Sequence, residues 1–145
     1  IYSNSSRKRL FNLSKASNYI TPSVVYKNAL LFSNIKIGPS NIIYPNVTIS
    51  TNSVVKTGNV INYDCLIGHD VQIGNFNFIG PGCKILGEVK IGNNSFIGSN
   101  VKIMPKVKIG NNVNINAGLT IYKDINNNNS VMNVNNYRYL KLKKK

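Results

Sequence analysis

The sequence predicts an all-β chain, a parallel β solenoid, on three observations. Every sixth position from Val25 to Ile121 gives seventeen residues, all aliphatic, with no insertion or slip. The next position is Gly at 38, 68, 74, 80, 92, 98 and 110, so seven of the eleven glycines share one phase. Four residues after the aliphatic position small or branched side chains recur, as at Val47, Ser53, Cys65, Val71, Cys83 and Val89. A period of six fits neither an amphipathic helix nor a heptad coil.

Residues 1–20 come first and differ from the rest. Their spacing is helical, with Leu10, Leu13 and Ala16 able to form one apolar side, and Thr21-Pro22 punctuates before the first hexad. Residues 21–125 are the repeat domain. Each hexad reads as a short strand plus a turn, and three hexads close one coil of eighteen residues around a triangular prism. The large aliphatic residue points inward and stacks on its counterpart in the next coil. Glycine after it tolerates the positive φ expected where the chain turns. Backbone hydrogen bonds then run between coils, and nearest-neighbour stacking stabilises the whole. Residues 126–145 are the closing part: a polar loop, Asn126 to Asn129, then an irregular cap and a basic tail. The 26 asparagines read as AT-rich coding rather than chemistry.

Composition narrows the function. The net charge is +14, but Arg7, Lys8, Arg9 and Lys15 in the head and Arg138, Lys141 and Lys143 to Lys145 in the tail carry much of it. Between them nine basic and four acidic residues leave +5, which speaks against nucleic acid as the partner and suits a phosphorylated small molecule. No apolar run reaches the roughly 18 residues of a membrane span, so no membrane is expected. Two cysteines, eighteen residues apart, read as stacked core residues in a reducing, cytoplasmic setting. One histidine is too few for a three-His zinc site, so no metal is expected. Nor is there a phosphate-binding P-loop or a nucleophile elbow. Ile1 in place of Met suggests a piece of a longer chain.

Coil arithmetic singles out one glycine. Gly87 stands eighteen residues after His69 and out of phase with the seven repeat glycines. It should lie one coil rise, about 4.8 Å, from the imidazole. Its N–H would then be open to a substrate oxygen, as an oxyanion donor is. The other reading is a glycine required only by the turn.

The hexads with their Ile-Gly pairs, such as Ile67-Gly68, Ile73-Gly74 and Ile91-Gly92, resemble the hexapeptide-repeat acyltransferases. That resemblance implies a left-handed parallel β-helix and a homotrimer. Residues 61–110, with Ile61-Asn62, His69-Asp70 and the stretch from Leu86-Gly87 to Gly92, resemble a narrower group. These are the amino-sugar N-acetyltransferases and sialic-acid O-acetyltransferases of glycan biosynthesis. The resemblance implies acetyl-CoA as co-substrate and a nucleotide-linked 4-amino-dideoxy sugar as acceptor, with O-acetylation of a sialic-acid-like sugar as the alternative. A third reading is a non-catalytic solenoid used for binding or oligomerisation.

The resemblance also assigns roles. His69 is the general base, oriented by Asp70, and Gly87 meets the thioester. Asn62 places the acceptor or holds the imidazole, although a turn asparagine would look the same. Phe78 occupies a position that is polar in the family; it either contacts CoA or stacks on Phe96, eighteen residues on. CoA runs between neighbouring subunits along the backbone near Gly98, Ser99, Ala117 and Gly118, with Lys102, Lys106 or Lys123 in reach of its phosphates. Family members carry a Rossmann-like sugar-nucleotide domain ahead of the repeats, and Ser6–Tyr19 resembles its closing helix. The family's Gly-Val-Pro-Ala-Lys tail is replaced here by Val131-Met132-Asn133-Val134.

Overall fold

The hexad pattern sets the architecture directly. In a computed structural model that describes residues 3–19 and 21–132, the repeats form eighteen two-residue strands, from Val24–Val25 to Ser130–Val131. All pair in parallel into three sheets of seven, six and five strands, the faces of a left-handed β-helix. The first face contains Val60–Ile61 and Phe78–Ile79, the second Leu66–Ile67 and Lys84–Ile85, the third Gln72–Ile73 and Lys90–Ile91. Register advances by eighteen residues, as in Ile61↔Ile79 and Ile67↔Ile85.

The core is a column of stacked inward residues. Ile43, Ile49, Ile61, Ile67, Ile79 and Ile85 are fully buried, and Val47, Val71, Val89 and Val101 fill the corners between them. Cys65 and Cys83 belong to this column as expected, donating to the carbonyls of Gly80 (3.1 Å) and Gly98 (3.0 Å). Val25 and Leu31 point inward too, but among the described residues no coil stacks beneath them, and they stay 40% and 41% exposed.

Four expectations need correction. The repeat glycines do not supply the left-handed turns. Positive φ falls two residues later, at Asn46, Asp64, Asp70, Asn94 and their equivalents, where a short polar side chain suits it. Glycine is required for clearance instead: a Cβ on Gly98 would come within 2.5 Å of the Ala117 nitrogen in the next coil.

The asparagines are structural. Asn41, Asn59 and Asn77 are fully buried, and each side-chain oxygen accepts the amide one coil on, those of Asn59, Asn77 and Ser95, all at 2.8 Å. The Nδ2 of Asn59 and of Asn77 donates to the carbonyls of Gly74 and Gly92, both at 2.8 Å. A buried carboxamide with both ends satisfied is tolerated where an unpaired one would not be.

The repeat also does not stop at residue 125. Ile125 bridges Ile109, and Ser130–Val131 pairs with Asn114–Ile115. That coil is two residues short. The Asp124 side chain bridges the gap by accepting the Lys108 amide at 2.8 Å. The basic tail from residue 133 lies outside the described residues.

A helix, α1 (Asn4–Ala16), starts at Ser3, whose hydroxyl accepts the Ser6 amide, and ends before Asn18 in the left-handed region. Thirteen residues make a rod of roughly 20 Å, about the height of four coils. It lies along the edge between the third and first faces. Its packed side is not the predicted one: Leu10 and Leu13 are half exposed. Asn4, Arg7, Phe11 and Ser14 face the solenoid instead. Arg7 donates to the carbonyls of Gly58 (3.3 Å) and Asn77 (3.1 Å), and Phe11 meets Phe76 edge-on at 5.6 Å.

Candidate active site

Each coil turns at three corners, and the second residue after the inward aliphatic stands at the apex of each turn. At the corner leading from the third face to the first, those apices are Thr57, Asn75, Asn93 and Asn111. Their amides are all consumed, each accepted by the side-chain oxygen of an asparagine in the next coil at 2.7–3.1 Å. Those apex amides are therefore not available to an incoming ligand.

The second corner, between the second and third faces, is open. There His69 is the apex of its turn and Gly87 the apex one coil on, in register because the Glu88 amide donates to the His69 carbonyl at 2.9 Å. Gly87 has no side chain to cap the His69 amide, and the next apex, Pro105, has no acceptor for that of Gly87. Neither N–H has a hydrogen-bond acceptor among the described residues. A Cβ on Gly68 would stand 2.8 Å from the Gly87 nitrogen, so the glycine at 68 keeps that amide uncovered.

The imidazole is held against this spot. His69 Nδ1 lies 2.8 Å from Asp70 Oδ2, on two side chains that are each about half exposed. The same hydrogen bond from His69 is the main cause that holds the Asp70 carboxyl below its ordinary value, so it is ionised at neutral pH. An ionised carboxylate only accepts, so Nδ1 of a neutral imidazole carries the proton and Nε2 presents its lone pair. Nε2 sits over Gly87, where an added Cβ would come within 2.5 Å of it. A proton acceptor and an unpaired N–H donor therefore share one small space, an arrangement suited to acyl transfer.

Of the residues expected at the site, the second corner brings together His69, Asp70 and Gly87. Asn62, Gly98, Ser99, Ala117 and Gly118 all belong to the first corner, between the first and second faces, on a different edge of the prism. Asn62 is 8% exposed, and its side-chain oxygen accepts the Tyr63 amide at 3.0 Å. Ser99 and Ala117 are apices there, and their amides also have no acceptor among the described residues. Gly118 takes φ +77 with nothing near it. Phe78 has little surface left for a ligand: it is 7% exposed and stacks on Phe96 at 5.1 Å with rings 4° from parallel. Of its two readings the structure carries the aromatic ladder.

Sequence reasoning missed the pattern of capped and open apex amides. Its signal was readable: Thr57, Asn75 and Asn93 are each followed eighteen positions later by an asparagine that caps the apex amide, whereas His69 and Gly87 are followed by Gly and Pro and stay open. Of the lysines considered for phosphates, Lys106 pairs loosely with Glu88 at 3.8 Å, Lys102 projects from the second face, and Lys123 lies at the second corner. No helix among the described residues is long and apolar enough to cross a membrane.

Residues 70–103 and 88–123 match the family model of the bacterial transferase hexapeptide (six repeats). No curated protein matches the sequence. Among solved structures, the chain is similar to PerB from Caulobacter crescentus in complex with CoA and GDP-perosamine, at 22% identity and a TM-score of 0.86, covering 88% of this chain and 61% of that one. It is similar to the acetyltransferase domain of PglB from Neisseria gonorrhoeae FA1090 in complex with acetyl coenzyme A, at 24% identity and 0.87, covering 90% and 63%. WeeI from Acinetobacter baumannii AYE follows at 20% identity and 0.88, covering 92% and 65%. The chain thus spans less than two thirds of the length of each.

Proposed function

We propose that this hexapeptide-repeat chain is an acetyl-CoA-dependent N-acetyltransferase acting on a nucleotide-linked 4-amino-dideoxy sugar. The observation that carries the reading is the His69 imidazole, locked by Asp70 with Nε2 over Gly87 and beside an unpaired amide. The fold shared with PerB and with the PglB domain, each solved with CoA or acetyl-CoA, supports it.

In this mechanism the sugar amine attacks the thioester carbonyl while His69 Nε2 takes its proton. The carbonyl oxygen becomes an oxyanion that accepts the Gly87 N–H. Collapse breaks the carbon–sulfur bond, CoA leaves with the proton returned from His69, and the amide remains on the sugar. Asp70 stays ionised throughout, holding the ring and stabilising its charged form.

One protomer alone does not complete the site, because its two open corners lie on different edges. In a homotrimer the first corner of one copy faces the second corner of the next. CoA then runs along the open amide of Ser99 and the backbone of Gly98, Ala117 and Gly118, toward the neighbour's His69. Asn62 of that same edge holds the acceptor.

The experiment is CoA release from acetyl-CoA with UDP-, dTDP- and GDP-linked 4-amino sugars. Turnover with one of them is expected, falling by roughly 10² to 10⁴ in His69→Ala. Near-normal turnover in His69→Ala would remove the general base. A product cleaved by hydroxylamine would be an ester and would favour the sialic-acid-type alternative. If no acceptor is used and acetyl-CoA does not raise the melting temperature, the non-catalytic solenoid is the better account.

A further inference from the structure

The first corner changes character along its length. In the coils after His69 it is aromatic-free and glycine-rich, with Gly80, Gly82, Gly98 and Gly118, and leaves backbone accessible between small side chains. In the coils up to His69 the same edge carries Tyr26, Tyr44 and Tyr63, stacked in sequence. The rings of Tyr26 and Tyr44 are 5.4 Å apart and 11° from parallel; those of Tyr44 and Tyr63 are 4.7 Å apart and tilted by 48°. The middle ring is half-buried and the outer two are 44% and 45% exposed.

The switch falls in the coil of His69 itself. Asn62 takes the position that Tyr44 and Tyr26 hold one and two coils earlier, and its carboxamide folds over to accept the Tyr63 amide. The aromatic column therefore steps to the apex, where its last ring is tilted by 48° against Tyr44. The backbone beneath that ring is fixed. The Tyr63 carbonyl accepts the Gly82 amide at 2.9 Å, and Asp64 accepts from the Asn46 side chain at 3.1 Å. Lys27, next to Tyr26, is the one cation in the first-corner turns among the described residues, about 10 Å below, two coil rises away.

We infer that this aromatic edge is the acceptor's half of the ligand track. Tyr63 is the platform on which the acceptor's sugar ring lies, and Tyr44 and Tyr26 are its buttress. The inference rests on the acetyl-transfer reading above. A 4-amino-4,6-dideoxy hexose carries a C6 methyl, and with the C–H bonds of one ring face this forms an apolar side that stacks on an exposed aromatic ring while the C4 amine stays free at the ring's edge. The two halves of the edge then set opposite directions. CoA runs from the His69 coil toward the C-terminal coils, over glycine-rich backbone. The acceptor and its phosphates run toward the N-terminal coils, over tyrosine and toward Lys27.

The test uses the full chain with acetyl-CoA, GDP-perosamine and UDP- and dTDP-linked 4-amino-4,6-dideoxyhexoses. Tyr63→Ala and Tyr63→Leu are expected to raise the acceptor KM by about tenfold, the scale of one lost stacking contact, with kcat and acetyl-CoA affinity nearly unchanged. Tyr63→Phe should behave as wild type. Saturation-transfer NMR should detect the sugar ring protons in wild type and in His69→Ala, and lose them in Tyr63→Ala. Transfer that proceeds with an unchanged acceptor KM and NMR signal in Tyr63→Ala overturns the platform and leaves the enzyme reading intact. Sugar binding that depends on Tyr63 without any transfer does the reverse. If no sugar of the set binds wild type, or Tyr63→Phe fails as badly as Tyr63→Ala, stacking is overturned.

Discussion

The Nε2 atom of His69 occupies the space above Gly87 that a side chain would need, with an added Cβ only 2.5 Å away. Gly87 does not have a positive φ, so its backbone would accept alanine. Gly87→Ala should therefore fold with a melting temperature within a few degrees of wild type and displace the imidazole. A misplacement on that scale costs on the order of 10² in kcat. Circular dichroism together with CoA-release kinetics checks both halves, and full activity in the variant would show that the contact is not functional.

Asp70→Asn tests the other side of the ring. Asparagine keeps an acceptor oxygen but loses the charge, and its NH2 can donate to Nδ1 and favour the wrong tautomer, so kcat should fall roughly tenfold or more. Stability follows the direction of the shift. A carboxyl whose folded value is lowered stabilises the fold above its unfolded value and loses that contribution as pH falls through the lowered one. Wild type should therefore melt slightly above Asp70→Asn at neutral pH. The gap should close below the ordinary value of 3.8. Melting curves across that range decide it, and a gap that persists in acid counts against the pairing with His69.

The buried asparagine ladder should be costly to break. Asn59→Ala leaves the Asn77 amide and the Gly74 carbonyl without partners in a fully buried setting. About 2–4 kcal/mol of destabilisation is expected, read as a fall of several degrees or more in the melting temperature. Asn94→Gly, on the exposed ladder, removes one side-chain bond to Asn112 while leaving the left-handed backbone unstrained, and should change little.

The helix is held by residues that hydropathy would not choose. Arg7→Ala and Phe11→Ala should release α1 and speed amide exchange through it, whereas Leu10→Ala and Leu13→Ala should leave its protection nearly intact. Hydrogen-exchange mass spectrometry separates the two pairs. Equal loss in all four would mean that the exposed leucines carry the docking.

How much was legible follows from these residues. The aliphatic column declared the fold because one period serves both turn and core. The same arithmetic put Gly87 beside His69, since parallel register in a solenoid is a sequence offset. What escaped depended on partners outside the local pattern. Arg7 and Phe11 face inward because the solenoid offers carbonyls and the Phe76 ring along that edge, which no helical spacing reveals. Asparagine was discounted on composition, although its carboxamide matches the donor and acceptor spacing between coils. Asn62 and Ser99 were grouped with His69 by role, when their phase within the coil already placed them on another edge.

His69 and Gly87 belong to consecutive coils joined by one constant step, and that bears on how such a chain can change. Their geometry is indifferent to how many coils lie above or below. Whole coils can be duplicated or dropped without disturbing it, while a single inserted residue beside His69 would slide every later layer out of phase. Among the described coils the only irregular step is the two-residue shortening around Asp124, where a single neighbour must accommodate it. The solenoid acts as a ruler whose graduations, not its length, locate the chemistry.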